Sequence, residues 1–292
     1  MSKQIAIIGL GAMGTALASK YLEKSYVTTV WNRSPDKANQ LVSNGALLAT
    51  SVSEALEASK LIVVCLADES AVEETLLKAT TVLAGKIVVD LTSGTPNQAR
   101  EISNWATSFN AEYIKGGIMA VPRMIGSPHA MLLYSGRSTA AFQTVENDLS
   151  VLGSARFLGN DPGSASLYDI ALLSGMYGLF SGFLHATALV KSEQGNTATE
   201  FTSLLIPWLS AMTNNLGSLA QQIDEGDYTS QGSSLAMQAH GMQTMYTASE
   251  EQGVSPETIL PIKSLMESAV KNGHGDAGLS ALIQYFALGA RK

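Results

Sequence analysis

The sequence predicts an α/β domain followed by an all-α domain, with one long helix joining them. Three observations carry that expectation. Short β-branched runs alternate with helical patterns from residue 3 to about 160, helical patterns without strands fill the remainder, and a glycine-rich turn separates the first strand from the first helix. At 292 residues the chain is about twice the most common domain size, so each part is large enough to bury its own core. The expected boundaries are 1–160 for the α/β domain, 161–194 for the joining helix and 195–292 for the helical domain.

In order, the strands are expected at Gln4–Ile8, Val27–Trp31, Leu61–Cys65 and Ile87–Leu91, then near Glu112–Ile114, Met131–Tyr134 and Ala155–Leu158. Helical patterns fall between the early ones, at about Gly14–Lys24, Pro35–Asn44, Val52–Ala58, Ser70–Leu83 and Thr95–Ser108. This alternation predicts a parallel sheet with helices on both faces.

Beyond residue 160, Asp161-Pro162 supplies an N-cap and a proline for the first helical turn, and nothing stops the pattern until Gly195. A helix over about 162–194 would be roughly 50 Å long. Its apolar residues surround the axis, which predicts enclosure by protein on all sides, with a second copy of the chain as the encloser. Further helices are expected at about Thr199–Asp224, kinked at Pro207, and at Ser230–Gln252, Pro256–Asn272 and Ala277–Leu288.

Composition narrows the function. Apolar residues make up 46% of the chain and charged residues 15%, against roughly 25% charged in an average soluble protein, which points to extensive burial and a large subunit interface. The net charge is −7 and no Lys/Arg run is present, which argues against a nucleic-acid partner. Cys65 is the single cysteine and the four histidines are scattered, so no disulfide and no metal site is expected. The first apolar stretch stops at Gly9, too early for a secretion signal, and the expected location is the reducing cytoplasm. Leu167 to Val190 is apolar enough to suggest a membrane span, but it contains Asp169, His185, Gly175, Gly178 and Gly182, which suit a helix buried in protein.

Gly9-Leu10-Gly11-Ala12-Met13-Gly14 falls between a strand and a helix, the setting in which a G-x-G-x-x-G turn receives a pyrophosphate at a helix N-terminus. This predicts a dinucleotide-binding Rossmann-type domain. Sites for NAD place an acidic residue after the second strand to hold the ribose 2′-hydroxyl; here the segment reads Asn32-Arg33-Ser34, with Lys37 one turn on. Arg33 can pair with a 2′-phosphate, Ser34 can donate a hydroxyl and Lys37 adds a second cation, so the expected cofactor is NADPH. The competing interpretation is a solvated charge cluster at a helix start. Leu66, after the third strand, is added to the expected cofactor set.

Several longer stretches carry a family resemblance. Val30-Trp31-Asn32-Arg33, Leu91-Thr92-Ser93-Gly94-Thr95-Pro96, Gly116-Gly117-Ile118-Met119-Ala120-Val121-Pro122, Leu133-Tyr134-Ser135-Gly136 and the run from Asp161 to Asp169 together resemble the NADPH-dependent imine reductases. The run from Ala171 to Ala186 resembles the fungal reductive aminases within that family. The family is related to the β-hydroxyacid dehydrogenases, from which this chain departs at two chemical positions. Asp169 stands where their Gly-x-Gly-x-x-x-Lys pattern places a lysine, and Met119-Ala120-Val121 replaces the Ser-Gly-Gly that holds a substrate carboxylate.

The resemblance implies reduction of C=N with NADPH, from small carbonyl and amine substrates, in an intertwined homodimer. It further implies that Asp169 engages the amine or iminium nitrogen, that Tyr177 supports it, and that Ser93, Trp208, Met237 and Gln238 line the substrate pocket. The resemblance also puts Ser93 in contact with the nicotinamide, completing the expected cofactor set, and Ser93 stands where some fungal members carry asparagine. Along one helix Asp169 and Tyr177 would be separated by about 12 Å of rise and roughly 80° of rotation, close enough to bracket a small substrate. The structural alternatives are an ion-paired Asp169, core aromatics at Tyr177 and Trp208, and a core methionine stripe containing Met237. The competing functions are a hydroxyacid-type dehydrogenase and a non-catalytic NADPH-binding protein.

Overall fold

The computed structural model describes residues 3–287. The chain divides into two compact units, one running to Ser174 and the other starting at Gly175.

The first unit is built on eight strands: β1 (Gln4–Ile8), β2 (Val27–Trp31), β3 (Leu47–Leu48), β4 (Leu61–Val64), β5 (Ile87–Asp90), β6 (Glu112–Met119), β7 (Met131–Gly136) and β8 (Ser154–Phe157). They form one sheet in the order β3-β2-β1-β4-β5-β6-β7-β8. Its helices are α1 (Ala12–Glu23), α2 (Asn39–Ser43), α3 (Val52–Glu57), α4 (Glu69–Leu76), α5 (Pro96–Ser108) and α6 (Thr139–Leu149).

Side-chain alternation along β1 explains the layering. Ile5 and Ile7 face one core with Leu17 and Tyr21 of α1, Leu41 of α2 and Phe142 and Leu149 of α6. Ala6 and Ile8 face the other, with Val52 and Leu56 of α3, Val72 and Leu76 of α4 and Ile102 of α5. Both faces are therefore covered, as continuous apolar strands require.

The sheet is not wholly parallel, contrary to the sequence expectation. Strands β6 and β7 pair antiparallel, Ile114 with Gly136 through Met119 with Met131. The physical reason is the connection between them, which contains only the 3-10 turn Pro122–Met124 and no crossover helix that could return the chain in parallel. The two-residue strand β3 also escaped the sequence reading, being too short to show a period. The helix expected at Ser70–Leu83 instead ends as α4 at Leu76 and continues as a 3-10 stretch interrupted at Ala79 (φ −136°, ψ 27°).

The long helix α7 runs from Ser164 to Lys191, 28 residues, about 42 Å at 1.5 Å per residue and shorter than expected. Asp161 precedes it, accepting the Gly163 N–H at 3.0 Å and forking onto Arg100 of α5 through Nε at 2.9 Å and Nη2 at 2.6 Å.

In the second unit the helices are α8 (Ala198–Thr213), α9 (Leu216–Glu225), α10 (Leu235–Glu251) and α11 (Leu260–Ala269). The expected helix Thr199–Asp224 breaks at Asn214-Asn215, and Pro207 is accommodated inside α8. Helix α10 starts where Ser234 caps the Met237 N–H, and the last expected helix is a run of 3-10 turns, Leu279–Tyr285; Leu288 lies outside the described residues. Leu235, Met242, Leu265, Met266, Leu282 and Tyr285 form this unit's core. Along α7 the buried residues are Ala165, Ser166 and Asp169, and its apolar circumference is otherwise largely uncovered within the chain.

Candidate cofactor and active site

Strand β1 sits between β2 and β4, so the chain leaves it in one direction and returns on the other side. In an open α/β sheet that switch point opens a crevice beyond the carboxyl ends of the strands. A cleft of about 450 Å³ occupies it. Its walls include the whole turn Gly9 to Gly14, Asn32, Arg33, Ser34 and Lys37 at the end of β2, and Leu66 after β4. Eleven of the twelve residues expected to bind the cofactor are thus brought together. Ser93 is not; it is exposed on the turn after β5, outside the cleft walls.

The turn owes its shape to two glycines. Gly9 has φ +98°, which an L side chain rarely adopts, and a Cβ on Gly14 would collide with the Gly9 carbonyl, so α1 starts directly against the turn. Asn32 has a role the sequence did not reveal: its Oδ1 accepts the Leu10 N–H at 2.9 Å and its Nδ2 donates to the Ser34 carbonyl at 3.0 Å. It therefore ties the glycine turn to the end of β2. Arg33, Ser34 and Lys37 are exposed at the rim, and Lys78 adds a third cation. Lys78 carries no sequence signal, because only the packing of the 3-10 stretch after α4 brings it to the cleft.

These residues fit a phosphorylated dinucleotide. The helix N-terminus and free turn amides suit a pyrophosphate, the rim cations suit a 2′-phosphate, and no acidic side chain follows β2 before Asp36. Cys65 lines the same cleft, but burial pushes its thiol up to about 11, so it stays protonated at neutral pH and acts as a small packing residue. Among the described residues, no group of three or more His, Cys, Asp or Glu side chains is placed to hold a metal.

Beside the cleft lies a buried charge cluster that sequence reading did not single out. Lys115 of β6 is cross-strand partner of Asp90 at the end of β5, and its ammonium donates to Asp90 Oδ2 at 2.9 Å, to Glu69 Oε1 and to the Thr92 carbonyl at 2.5 Å. Asp90 also accepts the Thr92 N–H at 2.9 Å and the Tyr113 hydroxyl at 2.7 Å. Two carboxylates share one ammonium. Asp90, with three donors, keeps its charge and is held below its usual range, while burial and the Asp90 charge raise Glu69 to about 8. Glu69 Oε2 is buried without a hydrogen-bond partner among the described residues. The only sequence signal was a lysine inside an apolar strand followed by two glycines.

Asp169 of α7 is 6% exposed and lies against Gly117, two residues beyond Lys115 on the same face of β6. Burial raises its carboxyl above the ordinary aspartate value and the Lys115 charge opposes that rise. No ion pair to Asp169 is formed among the described residues. Within the single chain Tyr177, Trp208 and Met237 are exposed, while Gln238 is half-buried and donates to the Ser233 carbonyl at 2.9 Å.

The first unit defines a Rossmann-type, NADP-preferring oxidoreductase, with a carboxylate rather than a lysine at the start of its long helix. Residues 4–159 match the NAD binding domain of 6-phosphogluconate dehydrogenase, and residues 161–287 match the C-terminal domain of NADPH-dependent reductive aminase-like proteins. A curated NADPH-dependent reductive aminase of Aspergillus oryzae is 59% identical over 291 residues, covering 99% of both chains. Two solved Aspergillus terreus proteins are similar over 98% of this chain and 100% of theirs, each with a TM-score of 0.93. One is a reductive aminase in complex with NADPH4, cyclohexanone and allyl amine, at 54% identity, and the other an imine reductase in complex with NADPH4 and dibenz[c,e]azepine, at 53%. The chain belongs to the NADPH-dependent reductive aminase family.

Proposed function

We propose that this chain is an NADPH-dependent imine reductase and reductive aminase, which joins a ketone or aldehyde to a small amine through an imine or iminium and reduces it to the product amine. The observation that carries this reading is a buried Asp169, without an ion-pair partner among the described residues, at the same sheet edge as a cleft suited to a 2′-phosphorylated dinucleotide. NADPH, when bound, supplies the hydride. Gly9 to Gly14 hold its pyrophosphate, and Arg33, Ser34 and Lys37 hold its 2′-phosphate.

Hydride addition to C=N needs an electrophilic, protonated nitrogen. A carboxylate in a water-poor site stabilises that cation far better than bulk solvent does. Asp169 also accepts a proton from an incoming ammonium, freeing the amine to attack the carbonyl. Tyr177 orients the carboxylate or the substrate through its hydroxyl, and Ser93, Trp208, Met237 and Gln238 shape the pocket. A lysine base and a polar carboxylate cradle, which a hydroxyacid dehydrogenase needs, are replaced by Asp169 and Met119-Ala120-Val121.

The working unit of this reading is a homodimer in which each long helix is wrapped by the partner's helices. Leu184 of α7 is 65% exposed and Leu204 of α8 73%, and such large apolar exposure calls for a protein cover. Helix α7 is long and apolar enough to cross a membrane, but Asp169, His185 and three glycines along it favour protein over lipid as its surroundings. We place the enzyme in the cytoplasm, acting on small molecules, without a nucleic-acid partner.

The test is to mix purified protein with NADPH and a cyclic imine, then with a ketone and several small amines, following cofactor absorbance and analysing the product. Oxidation of NADPH with formation of the amine supports the reading. Oxidation only with hydroxy-acid or semialdehyde pairs points to a dehydrogenase, and binding without turnover to a non-catalytic protein.

A further inference from the structure

We infer that Lys115 is a positioning residue for the nicotinamide half of the cofactor, acting through the Thr92–Gly94 turn that it holds at the end of β5. The inference rests on the NADPH reading above and centres on Lys115, Glu69 and Asp90, which no sequence motif singled out.

The geometry is that of a three-way tether. The Lys115 ammonium spends its three donors on three separate segments: Asp90 on β5, Glu69 at the start of α4, and the Thr92 carbonyl in the turn itself. Thr92 is fixed twice more, its N–H by Asp90 at 2.9 Å and its Oγ1 by the Leu66 N–H at 3.0 Å. Leu66 is a cleft residue, so one side-chain hydroxyl links the turn after β5 to the cleft wall after β4. Gly94 closes the turn over Glu69: a Cβ there would overlap the Glu69 carboxyl group. Lys115, Glu69 and Asp90 are all buried, so no water competes for these bonds.

A charged cluster of this kind gives little net stability over an apolar one, because desolvation offsets the attraction; what it supplies is a fixed geometry. The place it fixes is informative. The glycine turn after β1 and Arg33 after β2 serve the pyrophosphate and the adenosine half, so across the switch point the remaining half extends over the ends of β4 and β5. Those ends are Leu66 and the Thr92–Gly94 turn. Ser93, outside the cleft proper, is then carried at the far side, where the reacting end belongs.

The experiment compares NADPH with 2′,5′-ADP, which occupies the adenosine half alone, by calorimetric titration. The neutral variant Glu69→Gln/Asp90→Asn/Lys115→Met leaves no unpaired buried charge. It should bind 2′,5′-ADP within twofold of the unmodified protein and NADPH at least tenfold more weakly. A second variant, Gly94→Ala, should weaken NADPH severalfold with the same selectivity, and in a Glu69→Ala background the added Gly94→Ala should have no further effect, since the overlapping carboxyl is gone. NADPH binding within twofold of the unmodified protein in both variants overturns the inference, as does equal weakening of both ligands, which marks general damage. Failure of the unmodified protein to bind 2′,5′-ADP overturns the cofactor reading itself, a result distinguishable from the others.

Discussion

Gly117 makes room for Asp169: a Cβ on Gly117 would lie 2.8 Å from the Asp169 Cβ and 3.1 Å from its Cγ. The strand glycine therefore sets how deeply the carboxylate sits. Gly117→Ala should push Asp169 outward at a packing cost of about 1–3 kcal/mol. The expected result is at least a tenfold fall in imine-reduction turnover with NADPH affinity unchanged, measured by steady-state kinetics and cofactor titration. Unaltered turnover would show that the depth of Asp169 is immaterial.

Asp169→Ala should fold and bind NADPH but lose at least roughly tenfold in turnover, about 1.4 kcal/mol of transition-state stabilisation. In the unmodified enzyme burial raises the Asp169 carboxyl, so the acid limb of kcat/KM should lie above the ordinary aspartate value of 3.8. Removing the opposing Lys115 charge in the neutral cluster variant should move that limb further up. A limb that stays put in both the Asp169 and Lys115 variants would assign it to another group.

Arg33→Ala should weaken NADPH by about 1.5–3 kcal/mol, the range for a charge-assisted hydrogen bond, and leave NADH nearly unaffected. Parallel titrations of the two cofactors decide this. Equal affinity of the unmodified protein for both would remove the selectivity argument.

Glu69 makes stability pH-dependent in a direction opposite to that of most carboxylates. Its folded value is raised from 4.5 to about 8, so between these limits the native state binds more protons than the unfolded chain and stability falls as pH rises. Below about 4.5 the contribution is fully present. Glu69→Gln should flatten this slope, read as urea midpoints across the window; an unchanged slope would place the proton elsewhere.

Leu184→Asp, on the exposed apolar face of α7, should convert the proposed dimer of twice 30.7 kDa into monomer in light scattering and abolish turnover. A monodisperse monomer of the unmodified protein would refute the dimer at once.

The N-terminal half was legible because its signals are local. β-branched runs, the glycine turn and the neutral Asn32 before Arg33 each act through neighbours in the chain, so strand positions β1, β2, β4 and β5 and most of the residues around the switch-point cleft are legible in the sequence. The antiparallel β7, the break at Asn214-Asn215 and the 3-10 character after α4 did not, since connection length and packing decide them and periodicity does not record either.

Asp169 was found through its departure from a lysine pattern, yet its burial and its seat against Gly117 depend on residues 52 positions apart meeting across β6 and α7. The Glu69–Asp90–Lys115 cluster left only the faint signal of a lysine inside an apolar strand, because each member is an ordinary polar residue until three segments converge. The sequence by itself determined the two-part architecture, the dinucleotide turn and the cofactor preference, all set by short-range backbone and charge chemistry. Only the tertiary structure decided which charges are buried together, because desolvation and pairing are properties of packed neighbours and have no period along the chain.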